Sequence, residues 1–433
     1  MSPKYWGVGV VLLLISIMAA YEVMSQGQEV TVQDEDSVTN AEDIRGDTTV
    51  EDLVAPPKPV RFSEKSNGFL FDFYKVLSES RQQGEFFSSV SIYSALLMVL
   101  FGAGEGESRL KLLSGLHLQP SEDGRVAHLI RSRDELFGMN TNDTVCNTAD
   151  KIWIDSKKEL NEQLKAIAED IFPGGFSKTP FSTHPRQAEG AINDWVSQKT
   201  NGLVKKLIAP GTITTNTNLV LTNAIYFKAK WKYPFDSEAT RDRPFHLLNG
   251  EKIDIPTMAR RGKVHFLHEE DFMSMIEMPY KDDTYSMVIM LPHGKSTVDS
   301  VLNAVNAEKL TNMMGKMEPW TLDIILPKFE MEVAYNLNKE LSKMGLGHLF
   351  TSKSGLTKFL KDGENIILTD VVHKAKISIT EEGTEAGAGT AVISGRSMVP
   401  RFAVDKPFAF FIRHTESGTI LFFGKVYEPK HTA

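Results

Sequence analysis

Apolar residues recur at helical spacing through much of the first half of the chain. Residues 63–80 carry apolar side chains three or four positions apart, from Phe69 to Leu77, which predicts an amphipathic helix. Residues 86–102 are apolar almost throughout and predict a buried helix. Further helices are predicted over residues 125–137, 158–172 and 187–208.

From residue 217 onward the pattern changes to short segments rich in branched and aromatic side chains. Residues 217–231, TNLVLTNAIYFKAKW, predict a long strand. Further strands are predicted over 274–280, 285–292, 321–329, 374–380, 407–414 and 419–427, with helices at 295–314 and 336–346 between them. Helices that dominate the first half and strands that dominate the second, without regular alternation, indicate an α+β fold.

The composition is that of a globular protein with enough chain for a large core. Hydrophobic residues make up 41% and charged residues 24% of the 433 residues. Cys146 is the only cysteine, so no intramolecular disulfide forms and the fold must rest on its core. We expect Cys146 to be buried and unreactive, and pairing with another chain is the alternative.

The first 25 residues have the arrangement of a signal peptide. Lys4 precedes an apolar run over residues 7–20, and small residues with a plausible cleavage position before Gln26 follow. A membrane anchor is the alternative, but a spanning helix needs about 20 apolar residues. We therefore expect secretion, and no later segment is long and apolar enough to span a membrane.

Residues 26–60 predict a disordered acidic tail that ends in a proline-rich joint. Residues 26–53 hold nine acidic residues against Arg45, a net charge of -8, which equals the formal net charge of the whole chain. A segment with so few large apolar residues cannot bury enough surface to fold. The remainder of the chain is balanced in charge, which argues against nucleic-acid binding.

The sequence lacks the common motifs of catalytic and metal centres. It contains no HExxH, CxxC or GxSxG and no phosphate-binding glycine loop. His265 and His268 are three residues apart, but no acidic or cysteine partner completes a ligand set. A Ser-His-Asp triad could still be assembled by folding. We expect neither an enzyme nor a metal site.

Residues 381–400, EEGTEAGAGTAVISGRSMVP, resemble a linker in their small residues and a strand in their alternation. Alternate residues of a strand share one face, and the charge at Glu385 falls on only one of the two faces; no proline occurs before Pro400. This pattern fits a central strand with one buried face, and a solvent-exposed loop is the alternative. The residues on the face expected to be buried are small or β-branched: Thr384, Ala386, Ala388, Thr390 and Val392.

Several segments together resemble the serpins, the large family of serine protease inhibitors. They follow in the family's order at 87–108, 193–208, 217–235, 326–332, 344–350, 368–390 and 405–429. The resemblance covers about residues 61–430. It implies a single-domain serpin fold with three β-sheets, eight or nine helices and an exposed reactive loop at about 381–404.

The resemblance also implies a mechanism of inhibition. A protease cleaves the reactive loop and forms an acyl-enzyme, and the cut loop then inserts into the central sheet and distorts the protease. Gly387 and Gly389 stand where alanines are common in the family, and glycine loses more entropy on ordering, so we expect less efficient inhibition than in the best family members. The implied hinge consists of Glu381, Glu382, Gly383, Thr384, Glu385, Ala386, Gly387 and Ala388.

Two family spacings place the cleaved bond one residue apart. Counted back from Lys406 in the closing segment, the bond is Arg396–Ser397; counted forward from Gly383, it is Ser397–Met398. Arginine suits the acidic pocket of trypsin-like proteases, so we favour Arg396–Ser397. The predicted partner is then a trypsin-like serine protease. A bond at Ser397 would favour an elastase- or chymotrypsin-like protease, and a non-inhibitory serpin that acts as a carrier is the functional alternative.

The resemblance implies further site residues beneath the central strands. Ser88, Ser91, Asn223 and His373 match the family's shutter, a hydrogen-bonded cluster that can hold a sheet closed. Trp195 matches the tryptophan of the breach, at the upper end of the same strands. Ser89 replaces the proline that is usual beside the shutter serine, which puts the local turn in doubt.

The remaining expectations concern ligands and modification. Some serpins bind heparin through bases on a helix that corresponds to about residues 122–137, where this chain has Arg125, Arg131 and Arg133. Helical spacing does not bring these bases to one face, and a solvated surface is the alternative to a glycosaminoglycan site. Asn142 begins a glycosylation sequon. We expect a monomer with no other cofactor.

Overall fold

The computed structural model describes residues 61–79, 84–134, 136, 140–202, 204–384 and 399–430. Within these residues the chain forms nine α-helices, and short 3₁₀ or π turns lie at 120–125, 237–239, 342–346 and 347–350. The helices are α1 (Phe62–Glu79), α2 (Ser89–Gly102), α3 (Glu107–Gly115), α4 (Val126–Asp134), α5 (Glu162–Ile171), α6 (Pro185–Lys199), α7 (Val298–Asn303), α8 (Ala307–Gly315) and α9 (Asn338–Leu341).

Fifteen strands accompany these helices in the described part of the chain. They are β1 (Phe86–Phe87), β2 (Thr144–Asp155), β3 (Phe176–Thr179), β4 (Leu219–Lys230), β5 (Arg241–His246), β6 (Lys252–Glu269), β7 (Met273–Pro279), β8 (Tyr285–Pro292), β9 (Glu318–Pro327), β10 (Phe329–Asn336), β11 (Leu368–Ile379), β12 (Gly383–Thr384), β13 (Arg401–Ala403), β14 (Phe408–His414) and β15 (Ile420–Val426).

The strands form two hydrogen-bonded sheets. The central sheet has six strands in the order β10-β11-β12-β4-β2-β3. The second has nine strands in the order β1-β15-β14-β8-β7-β6-β9-β13, with β5 also paired to β6. In β6, residues 265–269 pair with β7 and residues 257–266 pair with β9, so this long strand joins two groups of strands. We predicted three sheets; in the described residues two hydrogen-bonded sheets form, because β6 pairs with both groups and joins them into one.

The core lies on both faces of the central sheet. Helix α2 is buried on nearly every side and packs with α1 in the largest apolar cluster. A second cluster fills the space between the central sheet and the nine-stranded sheet, and includes Phe227, Ile377 and Phe410. A smaller third cluster lies beneath α6, around Ile192 and Val220. The α+β fold that we predicted is therefore confirmed.

Several boundaries differ from the sequence predictions. Residues 86–87 are strand β1, and α2 begins only after Ser88, whose side chain accepts a hydrogen bond from the backbone NH of Ser91. The helix expected over 187–208 ends at Lys199, since Asn201 and Gly202 adopt positive φ angles of 51° and 80°. The long strand β2, in the half that we expected to be mainly helical, was not predicted.

Candidate functional site: the opening in the central sheet

The two central strands of the six-stranded sheet are joined along only part of their length. Residues 368–375 of β11 pair directly and in parallel with residues 219–225 of β4. Beyond Ala375 the two-residue strand β12 lies between them. Thr384 stands opposite Ile379 on one side and Ala229 on the other, antiparallel to both strands. The beginning of the predicted hinge thus occupies the upper end of an opening between β4 and β11.

Gly383 is fixed in this position by its lack of a side chain. Its φ angle is 151°, and a Cβ atom here would lie 2.0 Å from the carbonyl oxygen of Ala229. Its own carbonyl accepts a hydrogen bond from the backbone NH of Thr380 at 2.9 Å. Any other residue would force β12 away from β4.

Thr384 is fully buried at the top of the opening. Its exposed fraction is 0%, and its hydroxyl lies 3.0 Å from the hydroxyl of Tyr280. Burial raises the pKa of Tyr280, so this phenol stays neutral and can share a hydrogen bond with the threonine. A small polar side chain therefore fits here, whereas a charged one would lack a partner.

Glu381 and Glu382 tie the chain before β12 to its surroundings. The carboxylate of Glu381 lies 3.1 Å from the ammonium of Lys328 and accepts a hydrogen bond from Thr240. Burial opposes its ionisation, but the hydrogen bonds from its own backbone NH, from Thr240 and from Lys328 outweigh burial and lower the pKa of Glu381. The carbonyl of Glu382 accepts from the backbone NH of Trp231 at 2.6 Å.

Trp195 does not lie where we predicted, and Trp231 takes that place. Trp195 is on α6, where its ring packs edge-on against Trp153 with centroids 5.5 Å apart. Trp231 follows β4 directly, donates from Nε1 to the carbonyl of Thr380 at 3.0 Å and stacks on Tyr280 at 4.6 Å. The signal in the sequence was the position of this tryptophan at the end of the apolar run of β4.

The predicted shutter residues form one hydrogen-bonded cluster beneath the direct β4–β11 pairing. His373 has an exposed fraction of 0%, and its Nε2 accepts from the backbone NH of Ser88 at 3.2 Å. Its Nδ1 must then carry the proton, which it donates to the Oδ1 of Asn223. Burial lowers the pKa of His373 to about 3. A neutral imidazole without access to solvent is a structural group and not a catalytic base.

The serines anchor this cluster to neighbouring elements. The Ser88 hydroxyl donates to the carbonyl of Leu421 at 2.7 Å, and the Ser89 hydroxyl donates to the carbonyl of Ile420 at 2.8 Å. Ser89, which replaces the proline usual in serpins, begins α2 and leaves the cap at Ser88 intact. The turn is therefore maintained by hydrogen bonds to β15.

Asp150 on β2 is a member of the cluster that sequence reasoning missed. Its Oδ1 accepts from the amide of Asn223 and from the hydroxyl of Ser91, which lies 3.3 Å away. Its Oδ2 lies 3.6 Å from the guanidinium of Arg133 on α4. The polar pattern of β2 concealed the strand and, with it, this residue.

The bases proposed for heparin do not form a common surface. Arg133 has an exposed fraction of 8%, pairs with Asp150 and lies over the ring of Phe172. Arg131 is exposed and pairs with Asp170 at 3.0 Å, while Arg125 is half-buried. The expectation for Arg133 is thus corrected, because a buried, paired guanidinium is unavailable to a polymer on the helix surface.

Other predicted residues lie in the outer parts of the molecule or outside the described residues. Asn142 is exposed on a bend before β2. Cys146 is buried, with an exposed fraction of 2%, and burial raises the pKa of its thiol. The remaining site residues lie outside the described residues: Glu385, Ala386, Gly387, Ala388, Arg396, Ser397 and Met398.

Two negative observations hold for the part of the chain that the structure describes. No three acidic, histidine or cysteine side chains gather there closely enough to hold a metal ion. None of the helices there combines the length and the apolar character needed to cross a bilayer.

Comparison with known proteins agrees with this architecture. The family model described as "Serpin (serine protease inhibitor)" matches residues 64–429. Leukocyte elastase inhibitor of Sus scrofa is 31% identical over 85% of this chain and 100% of its own. Plasminogen activator inhibitor 1 of Neovison vison is 32% identical over 82% of this chain and 90% of its own.

A solved structure of a ligand-binding protein shows the same fold. Human thyroxine-binding globulin in complex with thyroxine has a TM-score of 0.77 and 25% identity, over 86% of this chain and 99% of its own. The chain described here belongs to the serpin family. Members of this family are in general protease inhibitors and not enzymes, and the family also includes non-inhibitory carriers such as the globulin.

Proposed function

We propose that this protein is a secreted suicide inhibitor of a trypsin-like serine protease. The observation that carries the proposal is β12, which already occupies the upper end of the opening between β4 and β11. Below β12 the opening closes into direct strand pairing. A cleaved loop can therefore enter by extending β12 downward, one residue at a time.

Continuing the register of β12 predicts where each loop residue would go. Against β4, Ala386 would stand opposite Phe227 and Ala388 opposite Ile225; these two residues of β4 are buried on the core side. Residues directly opposite each other on antiparallel strands point to the same face. The small residues of the loop would thus meet the core, as their alternation requires.

The same register makes a specific prediction at the shutter. Continued along β4 it brings Thr390 opposite Asn223, and continued along β11 it brings Thr390 opposite His373. These two residues now hydrogen-bond to each other. Insertion would therefore separate them and place the Thr390 hydroxyl between them, where it can replace the hydrogen bond that is lost.

The register also supports Arg396 as the residue before the cleaved bond. Continued further, it brings residue 394 opposite Leu219, the first residue of β4, and Arg396 opposite Thr217. An acyl-linked protease at Arg396 would then lie just beyond the far end of the sheet. Its arginine side chain fits the acidic specificity pocket of trypsin-like proteases.

One experiment separates inhibition from the alternative of a non-inhibitory carrier. The protein is mixed with trypsin, and a covalent complex that survives SDS is expected, with Ser397 as the new amino terminus of the released peptide. Arg396→Ala should slow the reaction with trypsin by at least about a hundredfold, since a buried charge pair is lost. Cleavage without a complex would favour the carrier. A new terminus at Met398 would refute Arg396–Ser397.

Secretion and glycosylation are part of the same proposal. The apolar run and charge of residues 1–25 support a signal peptide, and the exposed position of Asn142 supports modification. Expression in a eukaryotic cell line should release protein that begins at Gln26. Treatment with an N-glycosidase should shift its mobility, and Asn142→Gln should abolish that shift. Retention of the full chain in the cell would contradict secretion.

A further inference from the structure

A polar cavity lies between α4, α6 and β2, at some distance along β2 from the hinge. Its volume is about 190 Å³, which is space for roughly six water molecules. The residues that define its character are three cations, one carboxylate and two aromatic rings. They are Arg133, Lys151, Lys199, Asp150, Phe172 and Trp195. We call this cavity the α4–α6 pocket.

Lys151 is the unusual member of the α4–α6 pocket. Its exposed fraction is 8%, yet within the described residues no carboxylate forms an ion pair with its ammonium. The ammonium donates to the hydroxyl of Ser177 at 3.0 Å and lies 4.5 Å from the ring centroid of Trp195. A buried cation normally has a partner of opposite charge, whereas Lys151 has the Ser177 hydroxyl and two indole rings, of Trp195 and, at 4.9 Å, of Trp153.

The surroundings increase the deficit of negative charge. Burial lowers the pKa of Lys151, and the positive charge of Lys199 lowers it further. Glu169 raises the pKa of Lys151, but this effect is weaker. The side chain of Glu169 accepts a hydrogen bond from the backbone NH of Gly174 at 2.8 Å. Lys199 is exposed at the mouth of the pocket, and no ion pair is formed by it within the described residues.

Asp150 offsets only one of the three positive charges of the α4–α6 pocket, that of Arg133, which lies 3.6 Å from it. One of its oxygens accepts from Ser91 and Asn223 in the shutter, and the other faces Arg133. The lining therefore has three positively charged side chains and one carboxylate, which is paired with Arg133. Trp195 and Phe172 form apolar walls of the pocket, and the burial of Lys151 strengthens its attraction for an anion.

We propose that the α4–α6 pocket binds a tetrahedral oxyanion, sulfate or phosphate, through Lys151 and Lys199. Such an anion accepts several hydrogen bonds at once and matches both the number of donors and the size of the cavity. The same chemical group occurs as a free ion and on sulfated polysaccharides. The proposal does not depend on the inhibitory function, since it rests only on groups of α4, α6 and β2.

Thermal unfolding tests the proposal directly. The midpoint of unfolding of the full chain is measured against sodium sulfate and sodium phosphate, with sodium chloride holding the ionic strength constant. A saturable rise is expected for the unmodified protein. Lys151→Met and Lys199→Gln should each weaken the apparent affinity by about tenfold, the loss of one charge-assisted hydrogen bond. Lys178→Met, which removes an exposed lysine of β3 outside the pocket, is the matched control.

The variants also define the result that would overturn the proposal. Sulfate stabilises many proteins by exclusion from their surfaces. An identical response of all four proteins would therefore show a general salt effect and refute the site. If Lys151→Met does not fold, calorimetric titration of Lys199→Gln with phosphate decides the question: unchanged affinity refutes the site, and a tenfold loss supports it.

A further arm distinguishes the two sources of the anion. A size-defined heparin oligosaccharide and its desulfated form are titrated in competition with inorganic sulfate. Displacement of sulfate by the sulfated form alone, lost in Lys151→Met or Lys199→Gln, supports a group carried on a polysaccharide. If the oligosaccharide fails to displace sulfate, the site is one for the free ion.

Discussion

Replacement of Thr384 by arginine is expected to convert the protein from an inhibitor into a substrate. Thr384 is the first residue below Gly383 in the opening, with an exposed fraction of 0% between Ala229 and Ile379. A guanidinium placed there would have no partner of opposite charge. Because residue 384 is already buried in β12, the arginine would displace β12 from the opening, and the cleaved loop would have to bury the guanidinium before any later residue could enter.

The size of the effect follows from the cost of that burial. An unpaired charge in a protein interior costs at least about 3 kcal/mol, and each 1.36 kcal/mol in a barrier is a tenfold change in rate. The acyl-enzyme divides between loop insertion and hydrolysis. If insertion slows by roughly a hundredfold while hydrolysis is unchanged, nearly every encounter ends in cleavage.

The assay is a titration of trypsin with the protein, read as residual activity and on an SDS gel. Thr384→Arg should give a cleaved band and no covalent complex. Thr384→Ser, which retains the hydroxyl that meets Tyr280, should still form the complex. Glu382→Arg adds the same cation at a partly exposed position and should also form it. An unchanged yield of complex with Thr384→Arg would refute insertion along β12.

Three further predictions concern buried groups. Burial lowers the pKa of His373 in the folded protein to about 3, whereas the unfolded value is near 6.5. Its contribution to stability is therefore complete above pH 6.5 and decreases by up to about 1.4 kcal/mol per pH unit below it. Between pH 6 and 4, the midpoint of unfolding should depend less on pH in His373→Gln than in the unmodified protein. Cys146 should not react with a thiol reagent until denaturant is added; rapid native reaction would contradict its burial. The ammonium of Lys425 lies 2.8 Å from the carboxylates of both Glu85 and Asp299. Lys425→Met should lower the free energy of unfolding by about 3–5 kcal/mol in a urea titration, because it leaves the buried carboxylate of Glu85 unpaired. A change below about 1 kcal/mol would show that Glu85 does not need Lys425 as its partner.

The sequence predicted the elements with strong periodicity and missed those with polar interruptions. Strand β8 lies exactly over 285–292, because all eight of its residues are buried and its apolar run has sharp ends. Strand β2 contains Asn147, Asp150 and Lys151, so its alternation is broken. Two of these polar residues are buried for reasons that depend on distant partners, which no local pattern can reveal.

The site was predicted to a similar extent. The four residues assigned to the shutter hydrogen-bond to one another, and they come from segments with distinctive motifs. Trp195 and Arg133 were misplaced for different reasons. Trp195 was assigned from the resemblance, and the structure places Trp231, at the end of β4, beside Thr380. Arg133 was also assigned from the resemblance, and its ion pair to Asp150 depends on a strand that was not predicted.

The two-residue strand β12 has a consequence for the protein in storage. The opening that it begins to fill offers backbone hydrogen bonds, and a strand of another molecule can form these as well as a strand of the same molecule. The loop of a second copy has the same alternation and would satisfy the same edges. Because such a contact is head-to-tail and does not close on itself, it would propagate into open chains of molecules. On the proposed mechanism, the opening that receives the protein's own loop would also limit the concentration and temperature at which a solution of the protein stays monodisperse.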